Sequence, residues 1–161
     1  MNEHKFEELH LMLEDMFDGI AFGYGGSVSL TAFGLFQREI GDFDVIFPPN
    51  FEPKVIDAID QKDEEALGSG GENLRFELQD NFFVDVMFKG HKFVEKEVFG
   101  VKCNVTDPRL AIHAKGRYIE SAIQLFKSGK PLTDRRLKSL HKHIDDVQYF
   151  NKKTNGSFKF V

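Results

Sequence analysis

The sequence predicts an α/β domain of the α+β kind, with a mixed sheet of about five strands, helices packed behind it and a helical pair at its C-terminal end. Three observations lead there. Apolar residues near the N-terminus recur at helical spacing. Short apolar or alternating runs, separated by Gly, Pro and Asp-Asn punctuation, occupy most of residues 19–105. Residues 107–151 then carry two long helical stretches. A chain of 161 residues is most simply one domain. Its core is expected over 1–106, with a C-terminal helical subregion over 107–151 packed against it.

Each element has its own signal. Phe6, Leu9, Leu13, Met16 and Phe17, with acidic residues between them, form the apolar stripe of a first helix of about four turns. Residues 19–24 read as a short strand running into the turn Gly25-Gly26-Ser27. Residues 28–37 read as a helix, in which Gly34, Val28 and Thr31 are poor helix formers. A second strand spans 42–47 and is closed by Pro48-Pro49. The helix expected over 53–66 has Pro53 in its first turn, and Gly68-Ser69-Gly70-Gly71 reads as a loop after the acidic patch Asp63-Glu64-Glu65. Residues 74–78 alternate cleanly, Asp80-Asn81 marks a turn, and 82–88 follow as a strand, so the two form an antiparallel hairpin. A further strand pair flanks Gly100, over 94–98 and 101–105. Thr106-Asp107-Pro108 opens a helix to about residue 127, Gly129-Lys130-Pro131 ends it, and 134–151 is the last helix.

Composition narrows the classes. The 18 Phe and no Trp describe a phenylalanine-packed globule. The single cysteine, Cys103, excludes an internal disulfide and a cysteine-based zinc site and fits a reducing compartment. No apolar run approaches ~20 residues, and the N-terminus lacks the pattern of a secretion signal, so a soluble, cytoplasmic protein with no membrane association is expected. Residues 1–106 hold 9 Lys and Arg against 21 Asp and Glu, whereas residues 107–153 hold 11 against 5. Such separation sets a cationic wall opposite an acidic one, or simply decorates solvated helix faces.

The chemistry is concentrated in two short motifs. In an extended strand Asp42 and Asp44 project from one face, with α-carbons about 7 Å apart. Like charges that close resist joint ionisation unless a cation lies between them. Asp85 interrupts the otherwise apolar run 82–88, and a buried carboxylate is costly when unpaired, so a cation is expected among the three. Gly25-Gly26-Ser27, before a helix, suits phosphate, because glycines admit close backbone approach and helix N-terminal amides favour anions. Together these point to metal-dependent phosphate chemistry. His141 and His143 face different ways on a helix and no HExxH spacing occurs, so zinc is not expected.

The order strand, Gly25-Gly26-Ser27, helix, Arg38, Asp42-Phe43-Asp44 and Asp85 resembles the polymerase-beta-like nucleotidyltransferase superfamily. It is most similar to the small bacterial AbiEii-like and minimal nucleotidyltransferases of toxin–antitoxin and phage-defence systems. The resemblance implies the nucleotidyltransferase fold, ATP or another nucleoside triphosphate as donor, and two Mg2+ ions, with Mn2+ as a substitute. By it, Asp42, Asp44 and Asp85 are metal ligands and catalytic residues, Asp85 also being the base toward the acceptor hydroxyl. Gly25, Gly26 and Ser27 hold the triphosphate. Arg38 stands where the family's arginine-x-threonine-x-aspartate signature has its arginine, although Ile40 replaces the threonine. Two roles fit it, a phosphate contact or a salt-bridge partner of the acids. Lys115 and Lys142 resemble the nucleotide-neighbouring lysines of the AbiEii-like group, with His143 where an aspartate usually follows the lysine.

The leading expectation is therefore transfer of a nucleoside monophosphate to an acceptor hydroxyl, on RNA or protein in preference, with release of pyrophosphate. Arg117, Arg135, Arg136 and Lys138 are candidate nucleic-acid contacts. A non-catalytic nucleotide-binding module, acting as antitoxin or regulator, is the reading from another class. An aminoglycoside-type transferase is a third, and it requires an acidic acceptor pocket. The acidic–basic polarity is compatible with a homodimer or an antitoxin-like partner.

Overall fold

The computed structural model describes residues 1–62 and 74–161. The expected loop over 68–71, the acidic patch over 63–65 and the end of the helix predicted to residue 66 lie outside the described residues. Among the described residues six strands form one mixed sheet, against about five expected. The elements in chain order are α1 (Glu3–Met16), β1 (Gly23–Tyr24), α2 (Gly26–Ala32), β2 (Phe43–Phe47), a single 3-10 turn (Pro49–Phe51), α3 (Glu52–Lys62), β3 (Leu74–Gln79), β4 (Phe82–Phe88), β5 (Val94–Val98), β6 (Val101–Val105), α4 (Pro108–Lys127) and α5 (Asp134–Thr154).

The sheet order is β3-β4-β2-β1-β6-β5. The β3/β4 and β5/β6 hairpins flank the centre, where β2 runs parallel to β4 and β1 runs parallel to β6. Pleating then decides which residues meet the core. On β2, Phe43, Val45 and Phe47 are buried against Phe6, Leu9 and Leu13 of α1, Phe17 just after it, and Val55 and Ile59 of α3. On β4, Phe82, Val84 and Val86 join the same core. Asp44, Ile46, Asp85 and Met87 occupy the alternate positions and line a cleft instead.

Local chemistry sets the ends. Asn2 caps α1, its side-chain oxygen accepting from the Lys5 N–H at 2.9 Å. The helix expected over 28–37 stops at Ala32 because Gly34 takes a left-handed φ of +70°. Gly34 N–H donates to the Thr31 carbonyl and Leu35 N–H to the Leu30 carbonyl, a Schellman closure. The strand expected over 19–24 contracts to two residues, since Gly19 adopts φ +76° and Ile20 N–H turns back to Phe17. A smaller core of Leu30, Leu35 and Phe150, with Phe33, Phe36, Ala111, Ile112 and Phe158 packed on it, joins α2 to α4, α5 and the C-terminal segment.

Candidate active site

The central register brings two of the predicted acids together. Asp44 and Asp85 are directly opposed on neighbouring parallel strands. Period-two pleating turns both into a cleft of about 500 Å³, whose opposite wall carries Lys115, Arg117, Tyr118 and His143. Asp42 immediately precedes β2 and does not line the cleft, but its carboxylate lies 3.8 Å from Arg75 Nη1, which bonds Asp85. Burial pushes the Asp44 carboxyl up to about 7, with the Asp42 and Asp85 charges adding to the effect. Asp42 is raised as well, first by burial and then by Asp85.

The glycine turn is built against these acids. Gly25 N–H donates to the Asp44 carbonyl at 2.9 Å. Gly26 adopts φ +53°, and a Cβ there would overlap Asp44 Oδ2, so only glycine permits this approach. The turn is pinned from behind, where Ser29 Oγ donates to the Thr106 carbonyl at 2.6 Å and Thr106 N–H donates to the Tyr24 carbonyl at 2.9 Å. Ser27 Oγ is sealed from solvent and, among the described residues, is the one buried side-chain polar atom without a hydrogen-bond partner. A buried hydroxyl left unsatisfied is costly, and an anionic ligand beside the turn would relieve it.

The predicted cations divide. Lys115 lines the cleft, and its Nζ lies 3.0 Å from Asp146 Oδ2 and 3.3 Å from His143 Nδ1. An ammonium has only donors, so His143 accepts through an unprotonated Nδ1. Burial first, and then the Lys115 charge, hold His143 below its ordinary value, which favours the neutral ring that this contact needs. Arg38 meets neither strand acid. It grips Asp146 bidentately, Nε to Oδ1 at 2.9 Å and Nη2 to Oδ2 at 2.6 Å. Burial pushes Asp146 up, yet the hydrogen bonds from Arg38 and Lys115 outweigh it and leave the carboxyl below its ordinary value. Lys142 is exposed on α5 and is not part of the cleft lining.

Sequence reasoning passed over two residues that organise this site. Asp146 is buried at the meeting point of the segment after α2, helix α4 and helix α5. Arg75 Nη1 lies 2.7 Å from Asp85 Oδ2. Among the described residues no three His, Cys, Asp or Glu side chains form a ready-made metal group. The donor set still fits Mg2+, which takes one or two protein carboxylates and completes its octahedron with water and substrate phosphates. Asp44 and Asp85 would supply the carboxylates, and the Asp42 and Asp85 charges add to the burial that raises Asp44. A second depression of about 380 Å³ lies beside His10, Glu14 and Cys103. Burial pushes that thiol up to about 12, so it offers no nucleophile at neutral pH.

No protein-family model matches the chain, and no curated protein is similar enough to count as a match. Solved structures do match. One is a Thermotoga maritima protein described provisionally as a nucleotidyltransferase, 16% identical, covering 79% of this chain and 94% of its own, with a TM-score of 0.54. Another is ANT(2'')-Ia in complex with adenylyl-2''-tobramycin, 12% identical over 94% of this chain and 88% of that one, with a TM-score of 0.57. A third is the lincosamide antibiotic adenylyltransferase LnuA bound to lincomycin, 17% identical over 89% of this chain and 97% of that one, with a TM-score of 0.51. At these identities the likeness establishes architecture: the chain has the mixed α/β fold of nucleotidyltransferases.

Proposed function

We propose that this protein is a metal-dependent nucleotidyltransferase that moves a nucleoside monophosphate from a nucleoside triphosphate to an acceptor hydroxyl and releases pyrophosphate. The observation that carries the reading is the opposition of Asp44 and Asp85 in a cleft that also holds the Gly25-Gly26 turn and Lys115. Asp44 and Asp85 would hold Mg2+, with the Asp42 charge beside them, and the ion would supply charge neutralisation on the triphosphate and polarise the phosphoryl oxygens. Backbone amides of the glycine turn and Ser27 Oγ orient the phosphates. Lys115, fixed by Asp146 and His143, presents a point charge toward them, and Asp85 accepts the proton of the attacking hydroxyl. Arg38 acts through Asp146, as the residue that positions Lys115.

Charge supports a reading of the acceptor. Beside the acids the cleft presents the cations Lys89, Lys115 and Arg117, which suit an anionic acceptor such as RNA or an acidic protein segment better than a polycation. This fits the toxin-like small nucleotidyltransferases, acting alone, as a homodimer or with an antitoxin-like partner. The similarity to ANT(2'')-Ia and LnuA favours a second reading, a small antibiotic as acceptor.

The test offers purified protein each labelled triphosphate with Mg2+, together with bulk RNA, cell protein, tobramycin or lincomycin. Label should move to RNA or protein with pyrophosphate release, and Asp44→Ala or Asp85→Ala should abolish it. Label transfer that survives Asp44→Ala removes the metal mechanism. Triphosphate binding with no pyrophosphate release on any acceptor marks a binding module instead.

A further inference from the structure

We infer that Arg75 is a resident counter-cation of the acid cluster, which a divalent ion must displace from Asp85 before the site can be loaded; the inference rests on the metal-dependent reading above. β3 and β4 pair antiparallel with Arg75 opposite Asp85. From that position Nη1 reaches Asp85 Oδ2 at 2.7 Å and comes within 3.8 Å of Asp42 Oδ2. The guanidinium also stands 4.7 Å from the centroid of the Phe83 ring, which supports it over the strand. A guanidinium carries only donors, so it has no acceptor with which to share a metal ion. A divalent ion coordinated by Asp85 therefore meets an occupied oxygen and a like charge.

The pair is built to yield. The Arg75 and Asp85 side chains are 45% and 25% exposed, so water and salt weaken their attraction. A doubly charged ion in direct contact with carboxylate oxygens competes with such a pair once its concentration is high enough. The cluster as it stands has a cation among its acids without any three of them converging. Arg75 thus sets the divalent-ion concentration at which the site loads, and it keeps the charge of Asp42 and Asp85 compensated until then.

Titration with Mn2+ alone, followed by electron paramagnetic resonance of the free ion, tests this without any catalytic readout. Removal of a half-exposed ion pair from the competition should tighten Mn2+ binding about two- to fivefold in Arg75→Met. Arg75→Gln, a second uncharged variant, should do the same and guards against a folding defect of the first. In the wild type, the Nε–Hε resonance of Arg75 should move on addition of Mg2+, while that of Arg109, paired with Asp107 at the start of α4, stays in place. Unchanged or weaker Mn2+ affinity in both variants, with pyrophosphate release still metal-dependent, overturns this inference alone. An Arg75 resonance indifferent to saturating Mg2+ also overturns it. Failure of wild type and variants alike to bind Mn2+ overturns both the inference and the metal reading.

Discussion

At Asp44 a carboxyl that would ordinarily ionise near pH 4 is pushed up to about 7 by burial and by two neighbouring acids. Between those values the native state holds a proton that the unfolded chain has released, so stability falls as pH rises through the window. Each pH unit within it costs up to about 1.4 kcal/mol for one such group. Asp44→Asn cannot ionise there, and the comparison cancels the titration of every other group. In chelator, the stability of the variant relative to wild type should rise progressively from pH 5 to pH 7 and level off above, as read by denaturant melts. Mg2+ should reverse the difference at pH 8 by stabilising only the wild type. Equal slopes for the two proteins would remove the burial-driven shift.

Asp146 has the opposite balance. Its carboxylate is 1% exposed and is held by Arg38 and Lys115, themselves 33% and 13% exposed. Truncation leaves two cations without a partner in a half-dry setting, a loss on the order of 3 kcal/mol. Asp146→Ala should therefore lower the thermal midpoint by roughly 6–12 °C, and Asp146→Asn by less. Because Lys115 faces the cleft, triphosphate affinity should fall along with stability. A variant that melts like wild type would show that the three-way contact contributes nothing.

Among the elements, the glycine turn is the least replaceable. At Gly26 an added methyl meets both a positive φ and the Asp44 carboxylate. Gly26→Ala should cost about 1–3 kcal/mol in melts and reduce pyrophosphate release more than the stability loss explains, since Asp44 must move. Gly41→Ala, where a Cβ meets nothing within 4 Å and φ is not positive, is the matched control and should change neither. If Gly26→Ala melts and turns over like wild type, the close approach has no functional weight.

The same elements show what was legible in sequence. The hairpins and the C-terminal helices follow from alternation and caps that reside in adjacent residues: Asp107 caps α4 by accepting from Arg109 N–H, and Thr133 caps α5 by accepting from Arg136 N–H. Asp44 and Asp85 each break an apolar strand, which is a local signal, and the parallel register of β2 and β4 sets them side by side. Arg75 is different. A two-residue turn at Asp80-Asn81 without irregularity would set Arg75 opposite Val86, on the pattern of Gln79 opposite Phe82. The bulge between Glu77 and Gln79 slips the register by one and delivers Arg75 to Asp85. Nothing in the alternation of 74–78 announces that slip. Asp146 was unreadable for another reason: its partners are 108 and 31 positions away in sequence, and only the packing of α4 and α5 against the segment after α2 brings them together.

Over the whole molecule, residues 1–106 carry 9 basic and 21 acidic side chains, and residues 107–153 carry 11 and 5. The cleft lies where these two fields meet, with Asp44 and Asp85 on the sheet and Lys115 and Arg117 on α4. A triphosphate entering without metal is attracted by one wall and repelled by the other, and both forces act partly through solvent. Salt therefore has two opposing effects without metal, and their near cancellation should leave metal-free affinity almost flat between 50 and 500 mM salt, where the screening length falls from about 14 to 4 Å. Once Mg2+ neutralises the acidic wall, only the attraction remains, and affinity should fall severalfold over the same range. Fluorescent-nucleotide titrations with and without Mg2+ measure both slopes. A steep salt loss without metal would mean that the basic wall alone governs binding and that the acids do not face the phosphates, and the placement of donor and metal proposed above would fail with it.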